Sequence, residues 1–231
     1  MNSSELRGFL TGLILGDGSI DGGVTRRAFR IKSIHPDFLQ FIQRELEQCS
    51  NFNMHIRYYP KQASRGCIHS PYEELTIAAH PYFAKKYHHF YDDYRNRIIS
   101  KEALQWVNGI GLAAWYMSDG YMCLVGKTKE RIRDRRLEIC TDRYSEETVD
   151  KIILMFREKF GLSCSKFRRG LRFRVRILKQ SYGDFYRIVS PYVVPSMRYK
   201  LYFGYEKQPE WMDETMWVEQ KRLQSAMTLT A

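Results

Sequence analysis

Leu10-Thr11-Gly12-Leu13-Ile14-Leu15-Gly16-Asp17-Gly18 recurs in altered form as Leu112-Ala113-Ala114-Trp115-Tyr116-Met117-Ser118-Asp119-Gly120, at a constant offset of 102 residues (119 − 17). Small residues fall at matching places, Gly12 with Ala114 and Gly16 with Ser118. In each copy the small residues are spaced i, i+4 and form a strip on one helix face. Two such strips let two backbones approach closely. The reading is two parallel helices in contact, each ending in Asp-Gly, with the carboxylates of Asp17 and Asp119 side by side. Like charges at short range disfavour joint ionisation, and a bound divalent cation removes that cost. Two hard carboxylates suit Mg²⁺, which also takes waters and phosphate oxygens, and that set fits metal-assisted phosphodiester hydrolysis. Asp-Gly alone is a common helix-ending turn, so the weight rests on the pair.

Around each motif the same order of elements follows. Ser3 or Ser4 caps a first helix reaching Leu15. Gly18 and Gly22-Gly23 break the chain. Ala28 to Lys32 alternates like a half-exposed strand. Pro36-Asp37 opens a helix with Phe38, Leu39, Phe41, Ile42 and Leu46 at helical spacing. Strands are expected at Met54 to Tyr59 and Glu74 to Ala78, a loop from Ser64 to Pro71, and a helix from Pro81 to Tyr91. In the second copy, a helix ends at Asp119-Gly120 and strands follow near Tyr121 to Val125 and Arg136 to Thr141. Ser145 caps a helix with Glu146 and Glu147 in its first turn, where acids suit the dipole, and Gly161 ends it. Strands at Ser163 to Phe167 and Leu171 to Ile177 precede a helix from Tyr182 to Ser190. Each half reads as α-β-β-α-β-β-α, an α+β chain. The division is 1–98, a linker 99–108, a second half 109–208, and a tail 209–231 carrying Trp211, Met212, Met216, Trp217 and Leu223.

Composition bounds the partners. The 231 residues carry 37 Lys+Arg against 26 Asp+Glu, a net charge of +11 that points to a polyanion. No apolar run is long enough for a bilayer, and Met1 to Leu6 lacks a signal-peptide pattern, so an intracellular protein without a membrane partner is expected. The five cysteines are odd in number and contain no C-x-x-C pair, which argues against zinc fingers and a disulfide framework. All six histidines precede residue 90 and none forms H-x-x-x-H.

The charge is placed on strands. In Arg168 to Ile177, the residues Phe173, Val175 and Ile177 point one way and Arg172, Arg174 and Arg176 the other. Three arginines on one face repel one another unless phosphates or base edges lie above them, and arginine can fork onto guanine in the major groove. Arg30 and Lys32 make a shorter version, Arg57 lies in the Met54 strand, and Arg131, Arg133, Arg135 and Arg136 add a basic loop or strand.

These motifs resemble those of the LAGLIDADG homing endonucleases. Leu10 to Gly18 keeps the order L-x-G-L-I-x-x-D-G, departing at Leu15, where many members carry an acid. Gly111 to Gly120, and Pro191-Tyr192-Val193-Val194-Pro195-Ser196-Met197-Arg198-Tyr199-Lys200-Leu201, resemble I-SceI-type members. The resemblance implies a monomer of two pseudo-symmetric αββαββα halves whose antiparallel sheets form a saddle over DNA. It implies metal at Asp17 and Asp119 with the preceding Gly16 and Ser118, and Mg²⁺ as cofactor with Mn²⁺ able to substitute. It places a basic residue near each scissile phosphate, Lys200 in the second half and Arg97 in the first. An arginine there holds phosphate or polarises water but cannot act as a base. The implied activity is cutting of double-stranded DNA at a long asymmetric target, leaving short 3′ overhangs. Two alternatives stand beside it: a maturase binding intron RNA, and a DNA-binding regulator without catalysis. The chain has no Cys or Ser start and no His-Asn end, so self-splicing is not expected.

Overall fold

The computed structural model describes residues 1–23, 26–64, 67–126 and 132–229. The chain divides into two compact units: Met1–Ser118 with Val194–Ser196, and Asp119–Val193 with Met197–Ala231.

In the first unit, α1 (Ser3–Leu15) begins at a capping box. The Asn2 side chain accepts from the Ser4 and Glu5 amides, and the Glu5 carboxylate accepts from the Asn2 amide at 2.8 Å. The cap is thus Asn2, ahead of the serines expected in that role. Then come β1 (Ser19–Gly22), β2 (Arg27–Ser33), α2 (Pro36–Glu47), β3 (Met54–Tyr59), β4 (Gln62–Ser64), β5 (Cys67–His69) and β6 (Tyr72–Ile77). The unit is completed by α3 (Pro81–Lys86), α4 (Lys101–Trp106) and α5 (Gly109–Asp119), whose last residue begins the second unit. The antiparallel sheet has the order β1-β2-β6-β3, and β4 and β5 form a separate pair. Two expectations change here. The Gly18–Gly23 break contains β1, because Ile20 is buried beside Phe29 while the glycines serve only its ends. The expected Ser64–Pro71 loop contains β5, which pairs antiparallel with β4 through backbone bonds that hydrophobic alternation does not reveal. Ile20, Phe29, Ile31, Leu75 and Ile77 form the buried face, on which α2 and α3 pack.

In the second unit, β7 (Gly120–Gly126), β8 (Ile132–Ile139), α6 (Glu146–Phe160), β9 (Cys164–Arg169), β10 (Arg172–Ile177), α7 (Tyr182–Val189) and α8 (Glu214–Leu229) follow in order. The antiparallel sheet has the order β7-β8-β10-β9. Ser145 caps α6 through the Thr148 amide, and Gly161 ends it in the left-handed region at φ 67°. Leu137, Ile139, Val175 and Ile177 form the buried face, against which α6 packs. Part of the tail is helical: Gln220 of α8 is buried, accepting from the Phe203 amide and donating to the Leu201 carbonyl. Among the described residues, no helix is long and apolar enough to cross a membrane.

Candidate metal centre and nucleic-acid face

α1 and α5 touch along a strip of small residues inside the first unit. A Cβ on Gly12 would lie 1.9 Å from the Gly111 carbonyl oxygen, and one on Gly16 would lie 2.5 Å from the Ser118 Cβ. The contacts advance in the same chain direction on both helices, so the two run parallel. The strip is longer than the matched motif positions suggest. Gly8 also belongs to it, 2.4 Å by the same measure from the Trp106 carbonyl, and Gly111 rather than Ala114 meets Gly12. Asn108 ties the helix starts together, donating to the Glu5 carbonyl at 3.0 Å and accepting from the Gly111 amide at 2.9 Å.

Each residue of the Gly16–Ser118 contact is followed directly by an aspartate. Asp17 is exposed in the turn after α1. Asp119 is half-buried at the end of α5, and its main-chain carbonyl accepts from the Cys140 amide at 2.9 Å. The Ser118 hydroxyl turns back to donate to the Ala114 carbonyl at 3.1 Å. Among the described residues, no three His, Cys, Asp or Glu side chains gather as a metal-binding group. Mg²⁺ does not need such a cage: it keeps several waters and is held by one or two carboxylates with phosphate oxygens. An exposed carboxylate beside helix-end carbonyls fits that requirement.

Arg97 does not stand apart as a phosphate ligand would. Its guanidinium donates to the main-chain carbonyls of Ile14, Gly16 and Gly18. Lys200 is half-buried in the 3₁₀ segment Pro195–Leu201. In that segment Arg198 pairs with Glu219 of α8 at 2.7 Å.

The sheet face away from the helices carries the expected basic residues in rows. In the first unit, register aligns Ser19, Arg30, Thr76 and His55, and in the next row Lys32, Glu74 and Arg57. Arg30, Lys32 and Arg57 are exposed, with Lys32 3.6 Å from Glu74. In the second unit the equivalent row is Tyr121, Glu138, Arg176 and Ser165. Here the countercharge expected from a nucleic acid is already present in the protein. Arg176 donates to Glu138 at 3.0 and 2.8 Å, and Arg174 grips Asp142 through Nε at 2.7 Å and through Nη2. Tyr121 joins the two pairs, donating to Glu138 and accepting from Arg174 at 3.1 Å. Burial and then the Glu138 carboxylate push the Tyr121 phenol up. The Arg174 guanidinium holds Asp142 below the usual carboxylate range. Arg172 is exposed at the strand end.

Arg135 lies elsewhere: its register places it with Leu137 and Ile139. It donates to the Phe203 and Gly204 carbonyls, both at 2.7 Å, under the Tyr205 ring. Arg131 lies outside the described residues, and so does the side chain of Arg133. Sequence reasoning missed Tyr121, Glu138 and Asp142. Glu138 stands opposite Arg176 through the alignment of β8 with β10, which side-chain alternation does not give.

A model of the LAGLIDADG DNA endonuclease family matches residues 7–185. Among curated relatives, probable intron-encoded endonuclease 1 of Wickerhamomyces canadensis is 31% identical over 128 residues, 54% of this chain and 53% of that protein. The chain thus spans about half the length of that relative, 53%. Cytochrome b mRNA maturase bI2 of Debaryomyces hansenii is 22% identical over 203 residues, 85% of this chain and 73% of the relative. The solved structure of the homing endonuclease I-WcaI bound to its DNA recognition sequence shares the fold, with TM-score 0.72 over 87% of each chain at 24% identity. The family match runs from within α1 to within α7 and includes both Asp-Gly motifs, so the chain belongs to the LAGLIDADG DNA endonuclease family.

Proposed function

We propose that the chain is a site-specific homing endonuclease that hydrolyses both strands of a DNA duplex with Mg²⁺. The observation that carries the reading is the α1–α5 contact: Gly16 and Ser118 touch, and each is followed by a motif aspartate. Asp17 and Asp119 would hold the metal, with the main-chain carbonyls of Gly16 and Ser118 beside them. Mg²⁺, when bound, would supply an acidified water and offset charge on the leaving oxygen. Lys200 would place a cation beside a scissile phosphate. Arg30, Lys32, Arg57 and Arg172 would meet the duplex as exposed cations. Arg174 and Arg176, held by Asp142 and Glu138, would present fixed donors. Because Arg30 in the first unit occupies the row position of Glu138 in the second, the two halves offer different groups, as an asymmetric target requires.

The test begins with duplexes selected from a randomised pool by the full chain without Mg²⁺, followed by addition of Mg²⁺. Both strands should be cut within the selected sequence. Asp17→Asn and Asp119→Asn should bind the same duplex and cut roughly a thousandfold more slowly, the loss of several kcal/mol of transition-state stabilisation. Equal cutting by the variants, or no cutting by the parent, would sink the reading. The maturase name of the Debaryomyces relative supports a second reading. Tight binding of intron RNA with no cleavage of the selected duplex would put it first.

A further inference from the structure

The turn that carries Asp17 is held from outside its own helix. α1 has no basic residue in its last turn. The last carbonyls of a helix lack partners within it, and a carboxylate just beyond them meets the negative end of the dipole. Arg97 answers both. Its Nη1 donates to the Ile14 carbonyl at 2.6 Å and the Gly16 carbonyl at 3.4 Å, and its Nη2 donates to the Gly18 carbonyl. Just past them, the Ile20 amide donates to the Tyr91 hydroxyl at 3.1 Å. Tyr91 and Arg97 are joined by an antiparallel bridge, with the guanidinium 5.7 Å from the Tyr91 ring centre. Tyr91 stacks on Tyr87 at 4.6 Å, and Arg27 lies over the Tyr87 ring.

We infer that Arg97 and Tyr91 are positioning residues that bracket the Gly16–Ile20 turn and fix the direction in which the Asp17 carboxylate is presented. This rests on the reading of Asp17 as a metal ligand. It assigns Arg97 a different task from that of a phosphate-side cation. The task needs a guanidinium, because one planar fork reaches three carbonyls, whereas the point charge of lysine keeps the charge and loses the fork.

The experiment uses the full chain and four variants: Arg97→Lys, Arg97→Ala, Tyr91→Phe, and Asp17→Asn as control. Mn²⁺ is the probe, titrated without DNA and followed by electron paramagnetic resonance. Amide hydrogen exchange is read across residues 12–20, and affinity for a mixed-sequence duplex is measured without divalent ions. Arg97→Lys and Tyr91→Phe should keep the parental circular dichroism and bind Mn²⁺ about tenfold more weakly, the usual effect of removing an outer-shell partner. Exchange at the Gly18 and Ile20 amides should quicken about tenfold while β2 and β6 stay as protected as in the parent, and duplex affinity should stay within about twofold. Parental Mn²⁺ affinity and parental exchange in both variants would overturn the inference. So would a loss of duplex affinity with the salt slope reduced by about one, the mark of a phosphate contact. Should Arg97→Ala not fold, the two milder variants carry the test. If the parent and Asp17→Asn bind Mn²⁺ equally, the metal role of Asp17 and the proposed function fail together, while exchange still decides whether the bracket holds the turn.

Discussion

Arg174 holds Asp142 through two of its nitrogens and reaches the Tyr121 hydroxyl with the third. That grip keeps the Asp142 carboxyl below its ordinary value of 3.8. A depressed folded-state pKa stabilises the fold above the ordinary carboxylate value, and the contribution is lost as pH falls through the depressed one. Asp142→Asn should therefore lower stability by about 1 kcal/mol at neutral pH, below the usual range for charge-assisted bonds, because 34% of the Asp142 side chain meets solvent. In thermal melts across pH, the gap between parent and variant should close once pH drops below the carboxylate range. A gap that persists into strong acid would mean that the aspartate acts by shape alone. The partners of these arginines were not legible in the sequence, although their shared face was. Alternation sorts Arg172, Arg174 and Arg176 from Phe173, Val175 and Ile177. It does not reveal that Glu138, 38 residues from Arg176, lies across from it, since that depends on how β8 and β10 align. Arg97 is a like case: its carbonyl partners lie about 80 residues earlier (79 to 83) and are main-chain atoms that side-chain patterns cannot reveal.

At the scale of elements, the repeated motif told most, because backbone proximity demands small residues at fixed spacing and little else can replace them. The α1–α5 contact is tight enough that Gly12→Ala drives a methyl into the Gly111 carbonyl, 1.9 Å away on an unmoved backbone. The helices must separate, which should cost about 3 kcal/mol, the upper part of the range for overpacking. Gly23→Ala meets nothing within 4 Å and should stay within about 0.5 kcal/mol of the parent. Chemical denaturation of both variants measures the contrast, and similar midpoints would show that the helices do not depend on that approach. Elements with a strong hydrophobic period, such as α2 with Phe38, Leu39, Phe41, Ile42 and Leu46 all buried, were readable from sequence. β1 was hidden by the glycines around it, and α4 is too short, at six residues, to show a period.

At the scale of the molecule, the formal charge of +11 does not say which cations a polyanion meets. Arg174 and Arg176 are neutralised by Asp142 and Glu138, and Arg198 by Glu219. Arg135 is committed to the Phe203 and Gly204 carbonyls on the buried side of its strand. Arg30, Arg57 and Arg172 are exposed, and they are among the cations proposed to meet phosphates. Each phosphate contact adds close to one to the slope of log affinity against log salt. Arg57→Ala and Arg172→Ala should each reduce that slope by about one on a mixed-sequence duplex, read by fluorescence anisotropy at several salt concentrations. Arg135→Ala should leave the slope unchanged and lower stability by about 2 kcal/mol, because two carbonyls lose a charged donor and Tyr205 loses its cation. The two measurements separate roles that composition merges. If Arg135→Ala melts like the parent and loses a unit of slope, then this arginine serves the duplex, and the Phe203–Tyr205 segment is held by Gln220 without it.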